Sequence, residues 1–399
     1  MVFRIFAFWL CLAYYVDNMR RKKSGKSKTK TKSTTNNHSV GALSYQTILK
    51  LVEDGSIKTT ELENIKPASL DLSLSDEIYK VEGIFPPKEK ETVRDVLEKI
   101  RKQKYSLGKT LEKDQMYIVR LNETLNLPRD IYAFCNPKST TGRLDTHVRL
   151  IADGMSRYDS VRAGFSGELW VSIVPRTFSI KLYRGLSVNQ IRFFNADTRL
   201  TNTELAIAME KHKFLWRKNG KPYNYDEIKV RDNDGSLILT LDLEHKNVGF
   251  ESILSKTPID LVKIKFYDSR AFFKPIKRQK NGYLYLKKGS FYILSTNEAV
   301  RIPPDFACEM LPMDERSGDF RSHYAGFIDP GWSYGKNGEG KGRTLTLEVR
   351  PFEDLIVRHG QPIAKVSLEQ MCETPKKIYD DMSSNYVKQS GPKLAKQFK

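Results

Sequence analysis

Met116-Tyr117-Ile118-Val119-Arg120-Leu121-Asn122-Glu123 recurs as Phe291-Tyr292-Ile293-Leu294-Ser295-Thr296-Asn297-Glu298, the Tyr-Ile and Asn-Glu pairs coinciding at an offset of 175 residues. The offset persists downstream. Pro128 and Asp130 fall on Pro303 and Asp305, and Gly185 falls on Gly360, all 175 apart; the S-x-x-x-R of Ser139 and Arg143 returns at 178 as Ser317 and Arg321. Upstream, Leu70-Asp71-Leu72 finds a counterpart in Leu241-Asp242-Leu243. Correspondences in one order with so little drift predict two copies of one domain. A period this long is not a solenoid repeat, whose units run about 20 to 50 residues.

Each copy reads as all-β. Leu169, Val171 and Ile173 alternate with Glu168, Trp170 and Ser172, and Leu345, Leu347 and Val349 alternate with Thr346, Glu348 and Arg350, the period-2 pattern of half-buried strands. Helices are expected only at the periphery, over 45–53, 93–103 and 203–214, the last started by Thr203. The fold class is therefore mainly β: two small barrels or jelly rolls in tandem. The expected segments are an apolar and basic extension over 1–40, the first β domain over 41–200, a helical linker over 201–220, the second β domain over 221–372 and a tail over 373–399.

The chain has 399 residues, 39% hydrophobic and 29% charged, which excludes wholesale disorder, collagen and a polytopic membrane protein. Its net charge of +19 suggests a polyanionic partner, either nucleic acid, a membrane surface or nucleotide phosphates. Twelve of those charges lie in two acid-free tails, eight between Arg20 and Lys32 and four from Lys388 onward. The body is only mildly basic. The apolar run from Ile5 to Val16 is shorter than the roughly 20 residues that a spanning helix needs, so no stable membrane span is expected. A start at Met19 and a targeting or anchor segment fit this run equally well. Four scattered cysteines point to a reducing, cytoplasmic setting, and six histidines without zinc-site spacing argue against a structural or catalytic zinc.

Three segments could carry chemistry. Lys138-Ser139-Thr140-Thr141-Gly142-Arg143, with its partner Arg316-Ser317-Gly318-Asp319-Phe320-Arg321, is a hydroxyl-bearing turn followed by a guanidinium whose planar fork suits phosphate oxygens. Phe327-Ile328-Asp329-Pro330-Gly331-Trp332 is an Asp-Pro-Gly turn, and Glu348 shares a strand face with Thr346 and Arg350. Taken singly, each also fits an ordinary polar surface.

Taken together, and with Ile65-Lys66-Pro67-Ala68-Ser69-Leu70-Asp71-Leu72 and the tail Ser384-Asn385-Tyr386-Val387-Lys388-Gln389, they resemble the dCTP deaminase branch of the dUTPase-like superfamily, in its long tandem-domain form. The likeness spans about Gly41 to Phe398. It implies zinc-free deamination of dCTP to dUTP and ammonia, with Glu348 as general base. Ser317, Arg321 and Arg316 match the turn that orients water and grips phosphates, Ala325 the alanine whose carbonyl positions the water, and Asp329 a residue near the sugar. Thr346, Lys138, Ser139, Arg143, Tyr386, Gln389, Lys393 and Lys396 would contact the nucleotide. Magnesium would ride on the triphosphate, and the partner is a nucleotide rather than nucleic acid. The resemblance also implies homo-oligomers with trimeric domain rings and sites between domains.

Ser172 stands where the first copy should carry the counterpart of Glu348, so that copy keeps a Ser139/Arg143 turn without a base unless Asp159 or Glu168 substitutes. Which copy's turn faces Glu348 stays open. The nearest rival activity is dUTP or dCTP pyrophosphohydrolysis through Asp329, alone or in a bifunctional enzyme. A silent nucleotide-binding regulator or nucleic-acid-binding protein is the reading from another class.

Overall fold

The computed structural model describes residues 40–322, 326–382 and 391–399. The expected N-terminal extension, Ala325, Tyr386 and Gln389 lie outside them. The described chain is mainly β. The first copy contributes β1 (Leu70–Val81), β2 (Met116–Asn126), β3 (Tyr132–Pro137), β4 (Thr146–Ala152), β5 (Ser166–Pro175) and β6 (Ser187–Phe194). The second contributes β7 (Ser236–Thr240), β8 (Asn247–Ser252), β9 (Tyr292–Val300), β10 (Phe306–Leu311), β11 (Phe320–Ser322), β12 (Arg343–Pro351) and β13 (Pro362–Gln370).

The pairings repeat. β1 pairs with β6, β6 with β3, β2 with β5 and β5 with β4. In the second copy β7 pairs with β13, β13 with β10, β9 with β12 and β12 with β11. Register repeats as well: Ile118 stands opposite Ser172 as Ile293 stands opposite Glu348. The recurring Asn-Glu is an internal fixture. Glu123 accepts from the Ser73 N–H and hydroxyl, both at 2.8 Å, and Glu298 from the Thr240 N–H and hydroxyl at 2.7 and 2.6 Å. Burial raises both carboxyls above the ordinary range, and these bonds satisfy the acceptor that burial would otherwise strand.

Two sequence correspondences need correction. Leu70 pairs with Ile191 and Leu237 with Val366, so the counterpart of Leu70-Asp71-Leu72 is Leu237-Ile238-Leu239, not Leu241-Asp242-Leu243. The first copy runs through this region as the single long strand β1. The second breaks between β7 and β8, where Lys218 pairs with the buried Asp242 at 2.8 Å. Likewise Arg321, opposite Arg350, occupies the register of His147 opposite Val174, so it is not the structural counterpart of Arg143.

The helices are peripheral, as expected, with shifted ends. α1 (Tyr45–Glu53) is capped by Ser44. α2 (Val93–Lys99) stops short of 103 because Lys102–Lys104 pairs with Tyr79–Val81 at the end of β1. α3 (Asn202–His212) is started by Thr201, not Thr203, through a capping box with Glu204. No helix among the described residues is long and apolar enough to cross a membrane.

Two apolar cores form, the first copy's extending into Ile259, Phe272, Phe273, Phe291 and Ile293 of the second, and a small cluster of Ala42, Ala68, Phe194, Ala307 and Met371 adds to the seam. At that seam a Cβ on Gly41 would lie 2.4 Å from the Gln370 carbonyl oxygen, so only glycine allows the Ala42 N–H to reach the same oxygen at 3.0 Å. Arg192 of β6 makes a buried ion pair with Glu369 of β13 across the seam.

Candidate active site

β12 has two faces with different work. Leu345, Leu347 and Val349 enter the second core, while Thr344, Thr346, Glu348 and Arg350 face the first copy and the C-terminal tail. The Thr344 hydroxyl accepts from the Gly391 N–H at 3.0 Å, and the Thr346 hydroxyl from the Lys393 N–H at 3.3 Å. Glu348 lies 3.8 Å from the Arg143 guanidinium, both side chains being at most 5% exposed. Arg350 pairs with Asp145. Four alternate residues of one strand thus read along the tail and then along the first copy's turn.

That turn is built between β3 and β4. Its N–H at Lys138 donates to the Val188 carbonyl at 3.0 Å, Ser139–Gly142 forms one helical turn, and the Arg143 N–H closes it on the Ser139 carbonyl at 3.0 Å. Arg143 also donates to the Lys393 carbonyl at 2.9 Å, so one guanidinium touches both β12 and the tail. The tail is anchored beyond this point: Ala395 and Phe398 enter the first core, and the Gln397 amide donates to the Leu261 carbonyl at 2.9 Å.

Cations gather around the turn. Lys138 pairs with the buried Asp71, from which Lys66 stands 3.9 Å away. Burial, aided by Arg143 and Lys265, lowers the Lys393 ammonium below its ordinary value; burial and Lys138 lower that of Lys396, against the pull of Asp71. Lysines crowded in this way are stabilised by an arriving anion. Asp329 sits at the same seam. Burial pushes its carboxyl up to about 6, Asp71 adding to the rise and Arg192 opposing it, while the Ala68 N–H donates to it.

The open question of which copy faces Glu348 has a direct answer: within one chain it is the first copy's turn. Ser317 and Arg316 are elsewhere. Arg316 is exposed and pairs with Asp314 at 2.6 Å and Asp232 at 3.4 Å. Arg321 lines a cleft of about 510 Å³ with His147, Arg149, Arg157 and Glu309, where burial and then the field of Arg321, Arg176, Arg350 and Arg149 push the His147 imidazole down to about 3. The sequence match between the two S-x-x-x-R turns misled because their spacing is alike while their register differs. Asp71, Asp145 and Thr344 went unread as site residues; a single buried acid beside a basic turn has no motif of its own.

The first copy's version of the β12 face is sealed. Trp170 of β5 lies under α2, packed with Val93, Leu97, Ile118 and Ile151, and Ser172 is buried between Ile118 and Arg149. Arg94 of α2 pairs with Glu168 at 2.9 Å and stacks over Trp170. Asp159 is held by Arg149 at 2.9 Å and the Leu150 N–H at 2.7 Å, and burial pushes its carboxyl up to about 6. Neither acid stands at the first-copy counterpart of Glu348.

Fold and junction define a class: a tandem dUTPase-like β-barrel protein with a cation-rich site between its copies. The chain belongs to the 2′-deoxycytidine 5′-triphosphate deaminase family, whose N-terminal domain profile matches residues 39–197 and whose C-terminal domain profile matches residues 212–398. Among solved structures, 2′-deoxycytidine 5′-triphosphate deaminase from Agrobacterium tumefaciens is similar, with 34% identity and a TM-score of 0.77, covering 84% of this chain and 97% of that one. No curated protein matches.

Proposed function

We propose that the chain deaminates dCTP to dUTP and ammonia, and that Glu348 is its general base. The observation that carries this reading is the pairing of Glu348 with the first copy's Arg143, beside lysines suited to a triphosphate. Glu348 takes a proton from water as the oxygen bonds to C4 of cytosine. Glu348 passes that proton to ring N3, then carries the remaining hydroxyl proton to the amino nitrogen; the C4–N bond breaks and ammonia leaves as the carbonyl forms, so water and dCTP balance dUTP and ammonia. Such acid–base transfer supplies about 10²- to 10⁴-fold. Arg143 orients the carboxylate, and Ser139, Lys138, Lys393 and Lys396 take the phosphates, with Thr346 holding the tail in place. Asp329 lies at the sugar end. Magnesium enters as part of the substrate, on the triphosphate, and the reaction needs no zinc.

The site draws on both copies of one chain, so rings of several chains, if they form, surround a junction already made within each. The test is product analysis with dCTP and magnesium. Ammonia and dUTP without pyrophosphate are expected; pyrophosphate would transfer the chemistry to Asp329, and bound but unchanged dCTP would make the chain a regulator. Glu348→Gln is expected to lower kcat at least about 10³-fold while nucleotide binding survives.

A further inference from the structure

Two residues beyond each member of the Arg143–Glu348 pair stands a residue of the opposite sign. Asp145 follows Arg143 on the first copy, Arg350 follows Glu348 on β12, and these two also pair. The copies therefore meet through two rungs of crossed polarity: base on the turn to acid on the strand, then acid on the turn to base on the strand. The second rung is the more firmly held. Asp145 is fully buried, and its carboxylate accepts from Arg350 and from the Thr177 hydroxyl. Arg350 donates further to the Thr177 oxygen at 2.7 Å and to the Gly289 carbonyl, so it ties the turn, the strand end and a second-copy loop together. The Asp145 backbone is fixed as well. Its N–H donates to the Gly142 carbonyl at 2.8 Å, its carbonyl accepts from the Arg176 N–H at 2.9 Å, and its φ of +52° is a left-handed conformation that a side-chain-bearing residue keeps only when its surroundings impose it.

We propose that Asp145 and Arg350 are positioning residues for the deamination: their pair sets how far the first copy's turn closes on β12, and so fixes Arg143 against Glu348. This rests on the deaminase reading above. Neither residue needs to touch the nucleotide. A displacement of about 1 Å at a reacting centre can cost about 10²-fold in rate, and a buried acid joined to a forked guanidinium resists such a shift better than a point charge would.

The test is steady-state kinetics on dCTP with the full chain. Asp145→Asn and Arg350→Met are each expected to lower kcat about 10- to 100-fold with KM within about threefold of wild type, and the double variant to lose no more than the worse single one. Arg350→Lys, which keeps the charge without the fork, should recover part of the loss. Thermal unfolding checks that each variant is folded. If Asp145→Asn does not fold, Asp145→Glu decides, with a loss in kcat of about tenfold expected from one added methylene. Wild type that releases no ammonia overturns the functional reading and this role with it. Active wild type beside folded variants of unchanged kcat, or a double variant whose losses multiply, overturns the positioning role alone.

Discussion

Arg143 and Arg316 differ in what surrounds them. Arg143 is buried against Glu348 and the Lys393 carbonyl, whereas Arg316 is exposed and already satisfied by Asp314. Arg143→Ala is therefore expected to cost at least about 10²-fold in kcat/KM, while Arg316→Ala and Ser317→Ala stay within about twofold; steady-state kinetics on dCTP checks the contrast. A pH effect belongs to Glu309. Burial pushes its carboxyl up to about 7, Glu369 adding to the rise, and Arg192 and the Asn136 amide at 3.1 Å opposing it. The folded pKa lies above the unfolded one, so the contribution to stability is complete below about 4.5 and is lost as pH rises toward 7. Glu309→Gln should flatten the fall in thermal stability across that window, by about 2 kcal/mol, as read from unfolding at stepped pH.

Among elements, α2 is what makes the two copies differ at this face. It covers β5 where the second copy leaves β12 open to the tail, so restoring a carboxylate to the first copy should not restore chemistry. Ser172→Glu in a Glu348→Gln background is expected to show no deamination, and to lower stability by about 3 kcal/mol in denaturant titration, because it forces an acid into a fully buried position between Ile118 and the Arg149 already held by Asp159. Much of this scale was legible beforehand. Period-2 alternation named β5 and β12, and the Asn-Glu pairs recur because Glu123 and Glu298 each hold a neighbouring strand. Ser172 was correctly aligned with Glu348, since strand register preserves spacing. Turns do not preserve it: Ser317 and Arg321 repeat the spacing of Ser139 and Arg143, yet three-residue β11 carries Arg321 into the register of His147. The clamp residues Asp145 and Thr177 were illegible because their significance lies in a partner more than 170 residues away in sequence.

At the scale of the molecule, the chain brings the Arg143 turn, Glu348 and the C-terminal tail together from separate stretches of itself. Arg143 comes from the first copy, Glu348 from the second and Lys393 from the C-terminus, and the three meet at one point. Symmetric assemblies with sites at heterologous interfaces take such parts from different subunits, which leaves a recognisable property: two defective subunits can complement each other. Here they should not. Co-expressed Arg143→Ala and Glu348→Gln chains are expected to show no more activity than the two proteins measured apart, because every chain carries one broken half of its own site. If the turn of one chain instead faced the glutamate of another, random mixing would restore about a quarter of the sites. Activity near that level in the co-expressed sample, with each variant inactive alone, would place the junction between chains.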